Sequence, residues 1–324
     1  MSRYKYLKLN IFSTKKNILY KMIKIGDTPL LKLEKLSEPD CSEIYVKYEG
    51  ANPTGSMKDR MALSMIEGAE VRGELKQGGR VVDYTGGSTG SSLAMVCATK
   101  GYHSYFVTSD AFAEEKLRTM MAFGAELEIF PSVNGMITAK LIDSMLERAK
   151  ELSKEPNTFW TDQFNNTDNK KAYHKMAKEI LSELGTGIDE FITGVGTGGC
   201  FSGNSEVLKK EIPDIRCIAI EPLNVRALSG GNISGTHKLE GIGAGFVPSI
   251  CRLDLADEII AVSDEDAVST ARKLAKLEGI FGGTTSGAHV WAAIQRARII
   301  GPGKKIVTVI CDSGLKYLNG KLYR

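Results

Sequence analysis

Glu190-Phe191-Ile192-Thr193-Gly194-Val195-Gly196-Thr197-Gly198-Gly199 runs from a β-forming segment straight into glycines. The same grammar recurs at Arg80–Tyr84, which is followed by Thr85-Gly86-Gly87-Ser88-Thr89-Gly90 and an apolar helical segment through Thr99. A third glycine loop, Gly282–Gly287, precedes a helix to Ile299. Strands that alternate with helices imply parallel pairing through right-handed crossovers, so the fold class is α/β. A glycine loop between strand and helix leaves backbone N–H groups free and aims a helix N-terminus at an anion. The alternative is a tight strand-to-helix turn that needs glycine only for backbone freedom. No acidic partner of a dinucleotide fingerprint and no G-x-x-x-x-G-K-[ST] motif accompanies these loops, which disfavours NTP binding.

Working outward, periodicity predicts strands at Glu43–Glu49, Tyr102–Thr108, Glu126–Phe130, Cys217–Ile220, Glu258–Val262 and Lys305–Ile310. Helices are predicted at Met57–Arg72, Glu114–Phe123, Ile137–Leu152, Lys170–Leu184, Ser205–Glu211 and Glu265–Leu277. Ser229–Gly245 has no clear period. At 324 residues the chain accommodates two domains of ordinary size. The polar segment Ser153–Asn157, with Pro156, marks a crossing between them. The division expected is a smaller mobile domain over 48–154 and a larger one from 1–47 plus 155–324.

Composition narrows the function classes. Hydrophobic residues at 42% and charged residues at 25% match globular usage and exclude disordered and fibrous chains. Forty-two basic against 39 acidic residues leave a net charge of +3, which makes no electrostatic case for nucleic acid or anionic lipid. Basic residues gather only in the first 24 positions, where Lys15 and Lys16 suggest a solvated face. No apolar run approaches the roughly 20 residues of a membrane span, and Met1–Asn10 lacks a signal peptide's apolar core. A cytoplasmic protein is expected. Six scattered cysteines without a C-x-x-C pair, and four histidines without ligand spacing, argue against metal sites and a disulfide framework.

Two further features carry chemistry. In Asn52-Pro53-Thr54-Gly55-Ser56-Met57-Lys58-Asp59-Arg60 a lysine stands in the first turn of a helix. A cation there meets the positive end of the macrodipole, a field that favours the neutral amine and suits a Schiff-base nucleophile. The plainer alternative is a surface lysine paired with Asp59 or Glu49. Cys311-Asp312-Ser313-Gly314 closes the last buried strand, where side chains of parallel sheets reach the ligand crevice. Strand alternation sends Asp312 and Ser313 to opposite faces, so one of them is expected at the ligand. A simple turn is the alternative for D-S-G.

Together these residues carry a resemblance. Ile25–Leu30, Asn52–Arg60, Thr85–Gly90, Gln163-Phe164, Gly196–Cys200, Gly230–Gly245 and Asp312–Leu318 occur in the order seen in cysteine synthases. The chain resembles fold-type-II pyridoxal-phosphate (PLP) enzymes of the cysteine synthase and cystathionine β-synthase family, over nearly its whole length. That resemblance implies two domains with twisted, mostly parallel sheets flanked by helices, similar to the tryptophan synthase β subunit. It implies that Lys58 binds PLP as a Schiff base and later moves the α-proton. Gly196, Thr197, Gly198, Gly199 and Cys200 match the phosphate loop, which in the family usually ends in threonine. Ser313 matches the serine that meets the pyridine nitrogen. Thr85, Gly86 and Thr89 with Gln163 match the substrate-carboxylate site, Ser88 the residue touching the cofactor's ring oxygen, and Gly241 a further substrate contact. Two residues depart from the usual T-S-G-N-T-G: Gly86 replaces serine and Ser88 replaces asparagine. They bear on the substrate rather than the cofactor.

The activity implied is β-elimination or β-replacement on cysteine or O-acetylserine through an aminoacrylate, with sulfide released or incorporated. Asn232, in the glycine-rich lid Ser229–Gly235, is a candidate for orienting the nucleophile; the alternative makes it a turn residue at positive φ. His237 is expected to be structural, the methionines from Met57 to Met65 to be helix packing, and Met120, Met121 and Phe123 either core or a face for a second subunit of a homodimer. The competing functions are a serine/threonine dehydratase and a non-catalytic binding protein that kept the fold.

Overall fold

The computed structural model describes residues 24–136 and 138–324. Lys15, Lys16, Met1–Asn10 and Ile137 lie outside the described residues. Along the chain the strands are β1 (Leu30–Lys32), β2 (Glu43–Tyr48), β3 (Arg80–Tyr84), β4 (His103–Ser109) and β5 (Glu126–Phe130). They continue as β6 (Thr158–Trp160), β7 (Glu190–Gly194), β8 (Arg216–Pro222), β9 (Glu258–Val262) and β10 (Lys305–Ile310). The helices are α1 (Lys58–Arg72), α2 (Ser88–Lys100), α3 (Glu114–Ala122) and α4 (Ala139–Leu152), then α5 (Thr167–Leu184), α6 (Gly199–Glu211), α7 (Asp264–Lys273) and α8 (Thr284–Ile300).

Two sheets organise these elements. A six-stranded sheet has the order β1-β2-β10-β7-β8-β9, parallel except where β1 meets β2. A four-stranded sheet, β5-β4-β3-β6, is parallel throughout. Alternate residues of the central strands enter different cores. Phe191, Cys217, Ala219, Val307 and Val309 share one with α1, α5 and α6. Ile192, Ile218, Ile220, Ile306 and Ile310 share the other with α7 and α8. Period-two apolar residues on both faces are what a helix-covered parallel sheet requires. The small sheet repeats the design: Val82 and Val107 face α4, while Val81 and Phe106 face α2.

Where boundaries differ from those expected, packing gives the reason. α6 begins at Gly199 rather than Ser205. Its glycines have low helix propensity, but a Cβ on Gly199 would overlap Asn169 and one on Gly203 the Lys170 carbonyl, so they serve close approach to α5. α8 begins at Thr284, inside the expected loop, and its Gly287 serves close approach to α7, since a Cβ there would overlap the Ala267 carbonyl. α5 starts at Thr167, where the Asn166 side chain accepts from the Asp168 N–H as an N-cap. α4 is capped by Thr138, whose hydroxyl accepts from Leu141 N. α7 passes into a π-turn over Leu274–Glu278. β1 and β6, three residues each, are too short to show a period; β6 pairs with β3 and carries the small sheet beyond residue 154. Met57, Met61 and Met65 are buried, and so is Met120, whereas Met121 and Phe123 remain exposed. Among the described residues, no helix is long and apolar enough to cross a membrane.

Candidate active site

The C-terminal ends of β3, β7 and β10 open on one cavity of about 590 Å³. Lys58 reaches it because the chain ahead of α1 is stitched to the chain after β10. Ser56 bridges Asp312, Met57 N donates to Cys311 O at 2.9 Å, and Ser313 N donates to Gly55 O at 2.9 Å. The first turn of α1 then divides its labour. Lys58 is half-buried and lines the cavity. Asp59 is buried, accepting from Thr54 N (2.8 Å) and from the Thr54 (2.5 Å) and Ser92 (2.6 Å) hydroxyls, which ties α1 to α2. Arg60 turns inward to Glu49 (2.7 Å) and Glu179 (2.7 Å), and Lys47 joins Glu179 at 3.0 Å. Burial would push Glu179 up, yet the hydrogen bond and charge of Arg60 hold it at about 2. Thr28 donates to Glu49 at 2.6 Å and Gly26 N to Asn52 Oδ1 at 2.9 Å, so the Ile25–Leu30 motif anchors the same cluster. Asp59 and Glu49 are therefore committed elsewhere, and among the described residues Lys58 forms no ion pair.

The glycine loop follows β7. Gly198 sits at φ +86°, and the first turn of α6 begins at Gly199, so first-turn N–H groups without helical partners border the loop. Gly196 lies against the Gly241 carbonyl, where a Cβ would overlap the oxygen. Asn169 links Gln163 O (2.7 Å) to the Thr197 hydroxyl (3.0 Å), and its own Oδ1 is buried without a hydrogen-bond partner. Behind the loop, His289 accepts from Gly194 N at 2.7 Å through Nε2, and Nδ1 lies 2.8 Å from Val309 O. Those contacts make Nδ1 the donor and the ring neutral; burial lowers its pKa to about 4.

Across the cavity, the Thr85 hydroxyl accepts from Gly90 N at 3.1 Å and shapes the turn into α2. Thr89 donates to Gln163 Oε1 at 2.9 Å, and Gln163 Nε2 reaches Tyr84 O at 3.4 Å. The structure thus brings Lys58, Thr85, Gly86, Ser88, Thr89, Gln163, Gly196, Thr197 and Gly241 to one cavity wall. Gly198 and Gly199 form the turn just behind it.

Three further candidate residues stand off the cavity wall. The Cys200 side chain points into the core, 3.9 Å from the Thr193 hydroxyl, and burial pushes its thiol up to about 12; what it can offer the loop is its backbone N–H. Ser313 is outside the cavity wall, its hydroxyl accepting from Leu315 N at 3.3 Å, while Cys311, Asp312 and Thr285 line the wall. Asn232 is exposed on the lid and does not line the cavity; its Oδ1 accepts from Ser234 N at 3.0 Å in a turn that is not at positive φ. His237 holds the Gly243 carbonyl at 3.2 Å.

Other wall residues were not assigned a role from the sequence. Lys116 of α3 pairs with Glu240 across the cavity and lies 5.7 Å above the Tyr317 ring. Phe112 and Thr285 also line it. Asp312, raised by burial, accepts from Tyr317 at 2.7 Å and keeps one buried oxygen unpartnered. Among the described residues no cluster of His, Cys, Asp or Glu is arranged to hold a metal.

An amine and a helix-bordered glycine cradle on one cavity wall are a donor set for a phosphorylated aldehyde. Residues 22–312 match the family described as pyridoxal-phosphate dependent enzyme. The chain belongs to that family. It is 43% identical over 301 residues to a cysteine synthase of Staphylococcus aureus, covering 92% of this chain and 95% of the relative. A probable cysteine synthase of Bacillus subtilis is 41% identical over 304 residues, with 92% and 96% covered. The solved structure of a hydrogen sulfide-producing enzyme from Fusobacterium nucleatum superposes with a TM-score of 0.85 at 40% identity, covering 91% of this chain and 96% of that one. Like the rest of the family, this protein is a pyridoxal-phosphate enzyme, and its two sheets are those of fold type II.

Proposed function

We propose that the protein exchanges or removes the β-substituent of a serine-type amino acid, with cysteine and O-acetylserine as substrates. The two balanced reactions are cysteine plus water to serine plus hydrogen sulfide, and O-acetylserine plus hydrogen sulfide to cysteine plus acetic acid. The observation that carries this reading is the meeting of Lys58, the Thr85–Gly90 loop with Gln163, and the Gly196–Gly199 loop in one cavity. Similarity to cysteine synthases and to a sulfide-producing enzyme supports the substrate class.

Bound cofactor supplies an electron sink for the pair left when the α-proton departs. The Lys58 amine would hold the cofactor through its aldehyde carbon and would carry that proton. Gly196–Gly199 and the Cys200 N–H would hold the phosphate. Thr85, Gly86 and Thr89 would receive the substrate carboxylate, Gly86 and Thr89 through backbone N–H groups, since the Thr89 hydroxyl is given to Gln163. Ser88 would meet the cofactor ring oxygen and Gly241 the substrate; Thr285, which lines the wall where Ser313 does not, donates its hydroxyl to Glu240 O at 2.7 Å. Asn232 is given no part here: it does not line the cavity, and its Oδ1 accepts from Ser234 N. Docking of the carboxylate draws the small sheet toward the large one and excludes water; residues 48–154, extended through β6, form the moving unit. A homodimer in the cytoplasm is the assembly proposed.

The test mixes the purified yellow protein separately with O-acetylserine plus sulfide, with cysteine, and with serine, and identifies products by mass. Cysteine from the first mixture, and serine with sulfide from the second, are expected. Pyruvate and ammonia from serine, with no sulfide chemistry, would establish the dehydratase instead. No turnover at all would leave the binding protein.

A further inference from the structure

The glycine at position 86 has a partner in the fold. Its backbone is outside the left-handed region, so conformation does not demand glycine there. Space does: a Cβ on Gly86 would overlap Cγ, Cδ1 and Cε1 of the Phe112 ring. Phe112 belongs to the turn that ends β4, fixed by Phe112 N donating to Ser109 O and Ala111 N to Ser109 Oγ, both at 3.2 Å. Asp110 in the same turn accepts from Ser132 N at 2.7 Å. The ring packs on the Val82, Val107 and Met145 core and presents its remaining surface to the cavity beside Gly86. It is therefore not a side chain that can swing aside without cost.

We infer that Phe112 is a specificity-determining residue: it occupies the volume of a residue-86 side chain and puts an aromatic ring where the substrate loop would otherwise offer a hydroxyl. This rests on the reaction proposed above and deepens it. A ring edge is a favourable neighbour for polarisable sulfur, whereas an ester oxygen needs a donor that carbon cannot supply. The neighbouring Thr89 hydroxyl is already given to Gln163. Size at 86 and size at 112 are thus coupled, and together they tilt the site toward a thiol-bearing substrate such as cysteine over O-acetylserine.

Four proteins test it: wild type, Gly86→Ser, Phe112→Ala and the double variant, with Phe112→Leu as a volume-keeping control. Readouts are kcat/KM for cysteine and for O-acetylserine with sulfide, Kd for each amino acid from the cofactor absorbance, and thermal melting. Gly86→Ser alone should melt lower and lose roughly tenfold or more in kcat/KM for both substrates, because serine and the ring overlap. The double variant should recover the melting temperature and shift the cysteine-to-O-acetylserine ratio roughly tenfold toward O-acetylserine. Strictly additive effects on melting, or a ratio within twofold of wild type in the double variant, would overturn the inference. A shifted Kd ratio in a protein that turns over neither substrate would support the role of Phe112 while overturning the proposed reaction.

Discussion

Gly196→Ala adds one methyl group at the point where two loops of the cavity touch. That Cβ would overlap the Gly241 carbonyl oxygen and stand 3.1 Å from its carbon. Neither atom belongs to a flexible side chain. Both backbones are also held: Gly243 N donates to Val195 O at 3.1 Å, and Gly241 sits at φ +88°, a conformation with little freedom to adjust. Relief requires the loops to part by roughly 1 Å, and a misplacement of that size costs about 10²-fold where it misaligns reacting groups. Overpacking of this kind costs about 1–3 kcal/mol, which corresponds to a PLP affinity weaker by roughly 5- to 150-fold if the loop holds the phosphate. The assay is titration of cofactor-free protein with PLP, followed by kcat/KM on cysteine. Gly187→Ala is the control, since a Cβ there meets only Lys305 Nζ, at 3.9 Å, and the residue is not at positive φ. The reasoning is refuted if Gly196→Ala binds PLP within twofold of wild type or loses no more than the control.

Other outcomes follow from the same geometry. His289 has a pKa depressed from 6.5 to about 4, so its contribution to stability is complete above pH 6.5 and is lost as pH falls toward 4. The loss is about 3 kcal/mol; a plot of wild-type minus His289→Gln stability against pH should fall across that window, and a level plot would show that the ring is not a buried neutral clamp. Arg60→Leu strands Glu49 in the core and should cost about 3–5 kcal/mol, read from the urea midpoint, with less than about 1 kcal/mol counting against the buried network. Substrate binding should slow hydrogen exchange in β3, β4 and α2; equal rates with and without amino acid would argue against closure of the small sheet.

Much of the fold was legible because apolar runs ended in glycine. β3, β5, β9 and β10 have the bounds that periodicity predicts. The starts of α6 and α8 were hidden, since Gly199, Gly203 and Gly287 look like loop residues until a neighbouring backbone is seen pressed against them. The same limit applies to the site. Lys58 and the two glycine loops lie in contiguous motifs, so order along the chain revealed them. Phe112, Lys116 and Asn169 lie outside those motifs and enter through long-range contacts that no spacing rule encodes, as Lys116 and Glu240 illustrate across 124 positions. Ser313 and Asn232 show the converse: a suggestive local motif does not say which way the side chain points. Ser313 turns to Leu315, and Asn232 to Ser234.

The most direct test of the account is to trap the cofactor with borohydride and locate the modified residue by peptide mass mapping, in wild type and in Lys58→Ala. The structure predicts a pyridoxyl group on Lys58, and a folded Lys58→Ala protein that traps none. A pyridoxyl group on Lys116, Lys316 or any other lysine of the wild type, or a trapped cofactor in Lys58→Ala, would contradict it.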